Sequence, residues 1–500
     1  MTSPVGAPGL YHQAAYDIAA PPPSYWRDSA RPGPALEPLG GDAECEVAIV
    51  GGGYTGLWTA LALRRQRPDL SVTLIEREIC GAGASAKNGG KVTGYWGALP
   101  SAVAAVGEDG ALAIARAGTR AQDGIRDFAR EADRDLWWRE AESLRIAASP
   151  AQDAKLAPHI ATARRLGVSD RMTLLPPEAV RARCASPVFR AAIAFAEGAT
   201  VHPGRLVRAL RAAALEAGVV IHERTRMLGF DRGQPNRVRT EGGELLAREL
   251  VLATNTALAR LPELRPYLTV FSSYALITET CPEGLAAMGW TGEEGLADAR
   301  MFVHYFRHTP DGRVLMGSGS GPIAHDGDDD APAMRTDAAA SGRAEAGLRR
   351  LLPGMAAAAV AKSWGGPLDM APDRLPFFGT LPGTRIHYGC GYSGHGVNAT
   401  YIGGQCLADL VLGRKDDWAA LPFCTRTLPR MPPEPFRYLG GRLIRWGILS
   451  CEIAEESGAR GKLPARIAAA LPKMLGLKIG TRRARRPRFF APHKAGSLRP

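Results

Sequence analysis

One stretch, Cys45 to Gly90, constrains this chain more than any other: CEVAIVGGGYTGLWTALALRRQRPDLSVTLIEREICGAGASAKNGG. Val47 to Val50 is a short apolar run of the kind that makes a strand buried on both faces. Gly51, Gly53 and Gly56 follow with G-x-G-x-x-G spacing around Tyr54 and Thr55, and Leu57 to Arg65 carries a helical apolar period. Each glycine has a steric reason: a tight turn, close backbone approach to a pyrophosphate, and close helix-on-strand packing. The helix N-terminus adds unpaired N–H groups and the positive end of the helix dipole. Ser71 to Ile75 reads as a second buried strand, ending at Glu76, 20 residues after Gly56, with Arg77 beside it. A carboxylate there accepts hydrogen bonds from the hydroxyls of a ribose. Strand, glycines, helix, strand and acid in register predict a dinucleotide site.

The next segment narrows the dinucleotide. Gly81 to Gly90, GAGASAKNGG, is a second small-residue loop. Together with GGGYTGL it resembles the FAD-dependent oxidoreductases of the D-amino-acid oxidase superfamily, closest to the branch of gamma-glutamylputrescine oxidoreductase. The match is residue by residue at Gly83, Ala84, Ser85, Asn88, Gly89 and Gly90, and Lys87 stands where the family usually has arginine. A second landmark is Trp364 to Gly379, containing Pro372-Asp373, followed by Tyr388 to Asn398 with GYSGHG at Gly391 to Gly396. Both resemble the superfamily's C-terminal cofactor signature.

The resemblance implies an α/β fold: a Rossmann-type FAD-binding domain interleaved with a substrate domain on an antiparallel or mixed sheet. The expected partition is an N-terminal arm at 1–43, then FAD-binding parts at 44–96, 191–265 and 363–425. Substrate-domain parts fall at 97–190 and 266–362, and a basic extension at 426–500. It further implies that Met227 lies near the adenine and that Ala253, Thr254 and Asn255 cross beneath the flavin phosphates. Gly391, Tyr392, Gly394, His395, Gly396 and Val397 would meet the flavin ring, with a helix starting near Asn398 and the backbone of His395 serving the cofactor.

Departures from the family are equally informative. The sarcosine-oxidase branch attaches flavin through a cysteine seven residues before the Asp of the PD pair; Gly366 occupies that place, so FAD is expected to be non-covalent. The carboxylate-binding cation of that branch is replaced by Asn398, which favours an amine over an amino acid. The dioxygen-linked lysine has no counterpart in Arg313 to Gly317.

The rest of the chain gives coarser signals. Residues 1–43, with Pro21 to Pro23 ahead of Ser24-Tyr25-Trp26, read as an extended surface arm. Leu99 to Arg139 reads as helix, as does most of 150–190, and 266–320 alternates as antiparallel strands do. In the strand around His304 to Arg307, either His304 and Phe306 or Tyr305 and Arg307 face the pocket, with Tyr274 a further candidate. The run His325 to Asp330 reads as a solvated turn rather than a calcium loop.

Charge and cysteine usage bear on partners. The net charge of +12 resides in residues 437–500, which hold 15 Lys and Arg against three Glu; the remainder has 47 of each sign. The body is therefore neutral, with no nucleic-acid signal, and the tail is expected at most to adhere weakly to anionic surfaces. Eight scattered cysteines without a C-x-x-C pair fit a reducing cytoplasm. No membrane span or secretory signal is expected. The expected activity is oxidation of the C–N bond of a small amine, a polyamine derivative or secondary amine, by hydride transfer to FAD. The resulting imine hydrolyses, and the electrons pass to dioxygen or another carrier. His395, Tyr305 and Arg307 are the candidate catalytic residues; D-amino-acid or glycine-oxidase-like chemistry is the alternative, with Arg307 or Lys91 as carboxylate clamp.

Overall fold

The computed structural model describes residues 24–31, 33–131 and 135–474. Its first sheet is built on the strand Ala43–Val50, flanked in parallel by Val72–Ile75 and Glu244–Leu252. Val220–His222 extends one side in parallel, and Ile386–Cys390 pairs in parallel with Glu244–Leu252. Met227–Asp231, Asn236–Thr240 and Phe377–Thr380 add antiparallel members, making eight strands in all. Val47, Ala48 and Ile49 are fully buried, as an apolar strand covered on both faces requires.

The helix Tyr54–Gln66 follows the central strand and buries ten successive residues, Tyr54 to Leu63. A helix apolar on every side must be covered on every side. Here Gly396–Val411, Leu99–Arg130 and Pro203–Glu216 supply the cover, with Trp58 edge-on to Phe128 and Tyr401. Leu99–Arg130 is long and apolar enough to cross a bilayer by length and composition, yet Ile114, Ala117, Ala121 and Ile125 pack in this core.

The second sheet also has eight strands, with Thr269–Thr278 antiparallel to both Val360–Met370 and Val314–Ser318. It continues through His304–His308, Gly295–Asp298, Ser143–Ile146, Ala192–Phe195 and Met172–Leu175. Two strands thus cross the expected partition: Ala192–Phe195 and Val360–Met370 both pair in this second sheet. The cavity described below is lined from both sheets, and the strand Val360–Met370 leads from the second sheet to the C-terminal signature.

Three local expectations change. The arm is not simply extended: Tyr25–Ser29 is a short helix, and Trp26 is wholly buried. The helix from Leu99 stops at Arg130, and the chain re-enters as the strand Arg139–Glu140. The 150–190 segment includes the strand Met172–Leu175 among its helices. The carboxylates of the 325–330 turn pair with Arg260, Arg265 and Arg335. Pro21 to Pro23 and the polybasic end lie outside the described residues.

Candidate functional site

The two glycine loops lock together by backbone-to-side-chain bonds. Ser85 Oγ accepts the Tyr54 N–H at 2.9 Å, and Asn88 ties its own loop by donating to the Ser85 carbonyl and accepting from the Gly90 N–H. A Cβ on Gly51, whose φ is +113°, would lie 2.5 Å from the Ala253 carbonyl oxygen; one on Gly56 would lie 2.0 Å from that of Gly51. These glycines permit the approach of three chain segments.

Five consecutive carbonyls of the second loop are held from outside it. Ser24 donates to the Ala86 carbonyl, Trp364 to Lys87 at 2.8 Å, and Trp26 to Asn88 at 2.9 Å. Arg307 Nε donates to Gly89 at 2.8 Å, and the Val201 N–H donates to Gly90 at 2.8 Å. Trp26 and Arg307 also stack, with the guanidinium 5.1 Å from the ring. Drawing these carbonyls outward leaves the loop with the N–H-rich edge that an anionic cofactor needs.

The C-terminal loop is held by Asp369. Its carboxylate accepts the N–H groups of Gly391 and Tyr392, the latter at 3.1 Å, while its carbonyl accepts the Ser393 N–H at 2.9 Å. Burial pushes this carboxyl up to about 6 against the pull of those bonds. The Tyr392 hydroxyl in turn meets Thr55 Oγ1 at 2.6 Å, so the N-terminal and C-terminal signatures are joined by one hydrogen bond.

Together these loops line a cavity of about 1660 Å³. Gly51, Gly53, Tyr54, Thr55, Glu76, Arg77, Gly83, Ala84, Ser85, Lys87, Asn88 and Gly89 reach it, as do Met227, Ala253, Thr254, Asn255, Tyr392, Gly394, His395, Gly396 and Val397. Gly56, Gly90 and Gly391 stand behind the lining and shape it. Glu76 accepts the N–H groups of Gly52 at 2.8 Å and Glu78 at 3.0 Å, and burial raises its pKa. The helices starting at Tyr54 and Gly396 both open on the cavity with no side-chain cap. Two uncapped N-termini, a nest of glycines and a buried carboxylate suit the pyrophosphate, the ring and the ribose of FAD.

The catalytic candidates separate. Tyr305 lines the cavity, hydrogen-bonded to Ser273 at 3.1 Å, its ring seated where a Cβ on Gly317 would lie 1.9 Å away. Arg307 does not reach the cavity; it is buried behind the second loop as a backbone clamp. The other face of the strand is internal, with His304 bonded to Asp298 at 2.8 Å, and Tyr274 donates to the Ala333 carbonyl. His395 donates from Nδ1 to the Ser393 carbonyl at 3.2 Å. Burial, then Arg374, Arg145 and Lys91, hold its ring down to about 4, so it is neutral near pH 7.

Of the cavity's cations, sequence reasoning named Lys91 and missed Arg145 and Arg374. Asn398 is no substitute ligand: it is buried and donates to the Gly118 carbonyl at 2.8 Å. Instead Lys91, Arg145 and Arg374 line the cavity from three distant segments. Lys91 donates to the Leu296 carbonyl at 3.0 Å and Arg145 to His159 Nε2 at 2.9 Å. No described carboxylate forms an ion pair with any of the three. Burial, then Arg145 and Arg307, bring Lys91 down to about 7; burial, then Arg374, bring Arg145 down to about 10. Arg374 sits at φ 62°, a conformation rarely taken outside glycine and typical of functional sites. Its place inside P-D-R-L-P was the one available signal; Arg145 had none.

Similarity to known proteins agrees with this geometry. The model of the DAO family, described as FAD dependent oxidoreductase, matches residues 46–410. Gamma-glutamylputrescine oxidoreductase of Escherichia coli is 28% identical over 425 residues, 84% of this chain and 94% of that protein. Glycine oxidase of Pseudomonas putida is 30% identical over 234 residues, 45% of this chain and 60% of its own length. Among solved structures, glycine oxidase from Geobacillus kaustophilus has a TM-score of 0.64 at 20% identity, covering 77% of this chain and all of that one. At that identity the likeness is one of fold.

Proposed function

The chain belongs to the DAO family of FAD-dependent oxidoreductases, and on that premise we propose that it oxidises the C–N bond of a small amine that also carries a carboxylate or similar anion. The observation that carries this is the set Lys91, Arg145 and Arg374, three cations lining one cavity with no described carboxylate paired to them. Buried cations without counter-ions are costly, and a substrate anion relieves that cost on binding. The similarity to a gamma-glutamylputrescine oxidoreductase supports the amine half of the reading.

FAD, when bound, would supply the oxidant, taking the hydride of the C–H bond next to nitrogen so that the C–N bond becomes an imine. The chain's own residues then have three tasks. The cations orient the substrate through its anion, which fixes the reacting carbon at a set depth. Neutral His395, with Nδ1 given to Ser393, keeps Nε2 as a hydrogen-bond acceptor that can orient a substrate N–H. Tyr305, walled by Gly89 and Gly317, bounds the cavity with an apolar ring face. A polyamine derivative satisfies these constraints if its far end is anionic. Dioxygen or another carrier completes the cycle.

Amino-acid oxidation is the second reading, favoured by the same cations and by the glycine oxidase relative. The two differ in how far the anion lies from the reacting carbon. Anaerobic flavin bleaching with putrescine, glutamyl-linked putrescine, 4-aminobutyrate and D-amino acids separates them. Amines with a distant carboxylate should outperform putrescine, and Arg374→Gln should narrow that gap roughly ten- to a hundredfold, as expected for one charge-assisted hydrogen bond. A preference that survives both Arg374→Gln and Arg145→Gln would refute the assignment, and D-amino acids alone reducing the flavin would establish the second reading.

A further inference from the structure

The helix Phe436–Glu456 and its partner Leu463–Met474 form a hairpin whose first helix lines the cavity. One face of the first helix belongs to the enzyme: Gly440, Gly441, Ile444, Arg445 and Ile448 line the cavity, and Arg445 donates to the Ser320 and Gly321 carbonyls. Buried Arg300 grips Glu452 and Glu456 of the same helix. On the opposite face only Phe436 and Leu439 also border the cavity, and Leu443, Trp446 and Ile453 lie off it. Phe436, Leu439, Leu443, Trp446 and Ile453 follow each other at helical spacing and are 46–70% exposed. Leu463 and Ile467 of the second helix are 63% and 50% exposed. Seven of the twelve large apolar side chains exposed among the described residues are thus on this one hairpin.

Its charge identifies what covers it. From Phe436 to Leu449 there is no acidic residue, and exposed Arg442 lies within the apolar stripe. Arg460 and Lys462 are exposed at the hairpin turn. Residues 475–500 contribute eight more Lys and Arg and no acid. Two copies of the chain paired through this face would set like charges against each other. An anionic lipid surface offers hydrocarbon for the stripe and phosphates for its flanks.

We propose that the hairpin lies in the plane of an anionic membrane surface, with Phe436, Leu439, Leu443, Trp446 and Ile453 inserted at the headgroup level. The part of the cavity wall to which Phe436 and Leu439 contribute then lies beside the lipid. The enzyme works as a peripheral protein held by a helix face, and the basic end strengthens a contact that the apolar stripe makes specific.

Flotation of the FAD-loaded full chain with phosphatidylcholine vesicles, with and without about 30% phosphatidylglycerol, tests this. Binding is expected to the anionic vesicles and to weaken as salt rises. Leu443 and Trp446 lie off the cavity lining, so the double variant Leu443→Ser/Trp446→Ser should keep its FAD and its turnover while losing roughly tenfold or more of the partitioning. Brominated lipids should quench the wild type more than Trp446→Phe. Equal binding by the double variant would leave only the basic end at work and overturn the proposal. So would absence of binding, or a chain dimer in solution that the double variant abolishes.

Discussion

Glu76 and His395 border the same cavity but act differently. Glu76 acts through a side chain that holds a loop and lines the cavity, whereas His395 occupies a helix cap through its backbone. Glu76→Ala should therefore weaken FAD by roughly ten- to a hundredfold, one charge-assisted bond or more, and His395→Ala should leave FAD bound. Titration of apo-protein with FAD measures both; the reverse order would displace the ribose site. Lys91 makes a pH prediction with a definite sign. Its folded pKa is lowered from 10.5 to about 7, so between these values the unfolded chain holds the extra proton. The burial cost is full below pH 7 and is relieved as pH rises toward 10.5. Lys91→Met should thus raise the melting temperature more at pH 6 than at pH 10. In the wild type, kcat/KM for an anionic amine should fall as pH rises through about 7, and that limb should vanish in the variant.

The element that most needs explaining is the second glycine loop, because the bonds of its own Asn88 leave the carbonyls from Ala86 to Gly90 to be held from outside. Its carbonyls are held by Ser24, Trp26, Trp364, Arg307 and Val201, residues from four separate stretches of chain. Trp26→Ala should accordingly lower FAD retention although Trp26 lies outside the cavity lining, and an apo-fraction measured by the 280-to-450 nm absorbance ratio would reveal it. This loop also shows what a sequence can disclose. Its glycines, its Asn88 and its place after Glu76 were legible because local backbone geometry demands those residue types. The clamps were not, since an Arg on one strand face and a Trp after a proline run look like ordinary packing until the chain is closed. The same holds for the substrate side: alternation narrowed residues 304–307 to two faces, and only the paired strands placed Arg307 against Gly89 rather than in the cavity. Arg145 gave no sign at all, because a lone arginine on a short strand most often faces water.

At the scale of the whole molecule, two cuts should behave differently. Removing residues 481–500 takes cations and no part of the described cavity wall, so FAD content and rate per flavin should stay unchanged, with salt-sensitive adhesion reduced. Removing everything from Phe436 should abolish turnover and expose the flavin to solvent, read as faster quenching of its fluorescence by iodide. FAD itself should be released completely by acid or heat, given Gly366 at the attachment position and the absence of cysteine from the cavity lining among the described residues; fluorescence retained in the precipitated chain would reveal a bond to another residue. The contrast between the two cuts follows from the hairpin whose first helix lines the cavity. The family match ends at residue 410, yet the wall of the reaction chamber runs on to Ile448. The span matched by the family model therefore holds every loop assigned to the cofactor, while the chain beyond it supplies a further wall of the chamber. Exchange of the wall between Met431 and Ile448 can thus alter what enters, and from where, without touching a loop assigned to the cofactor.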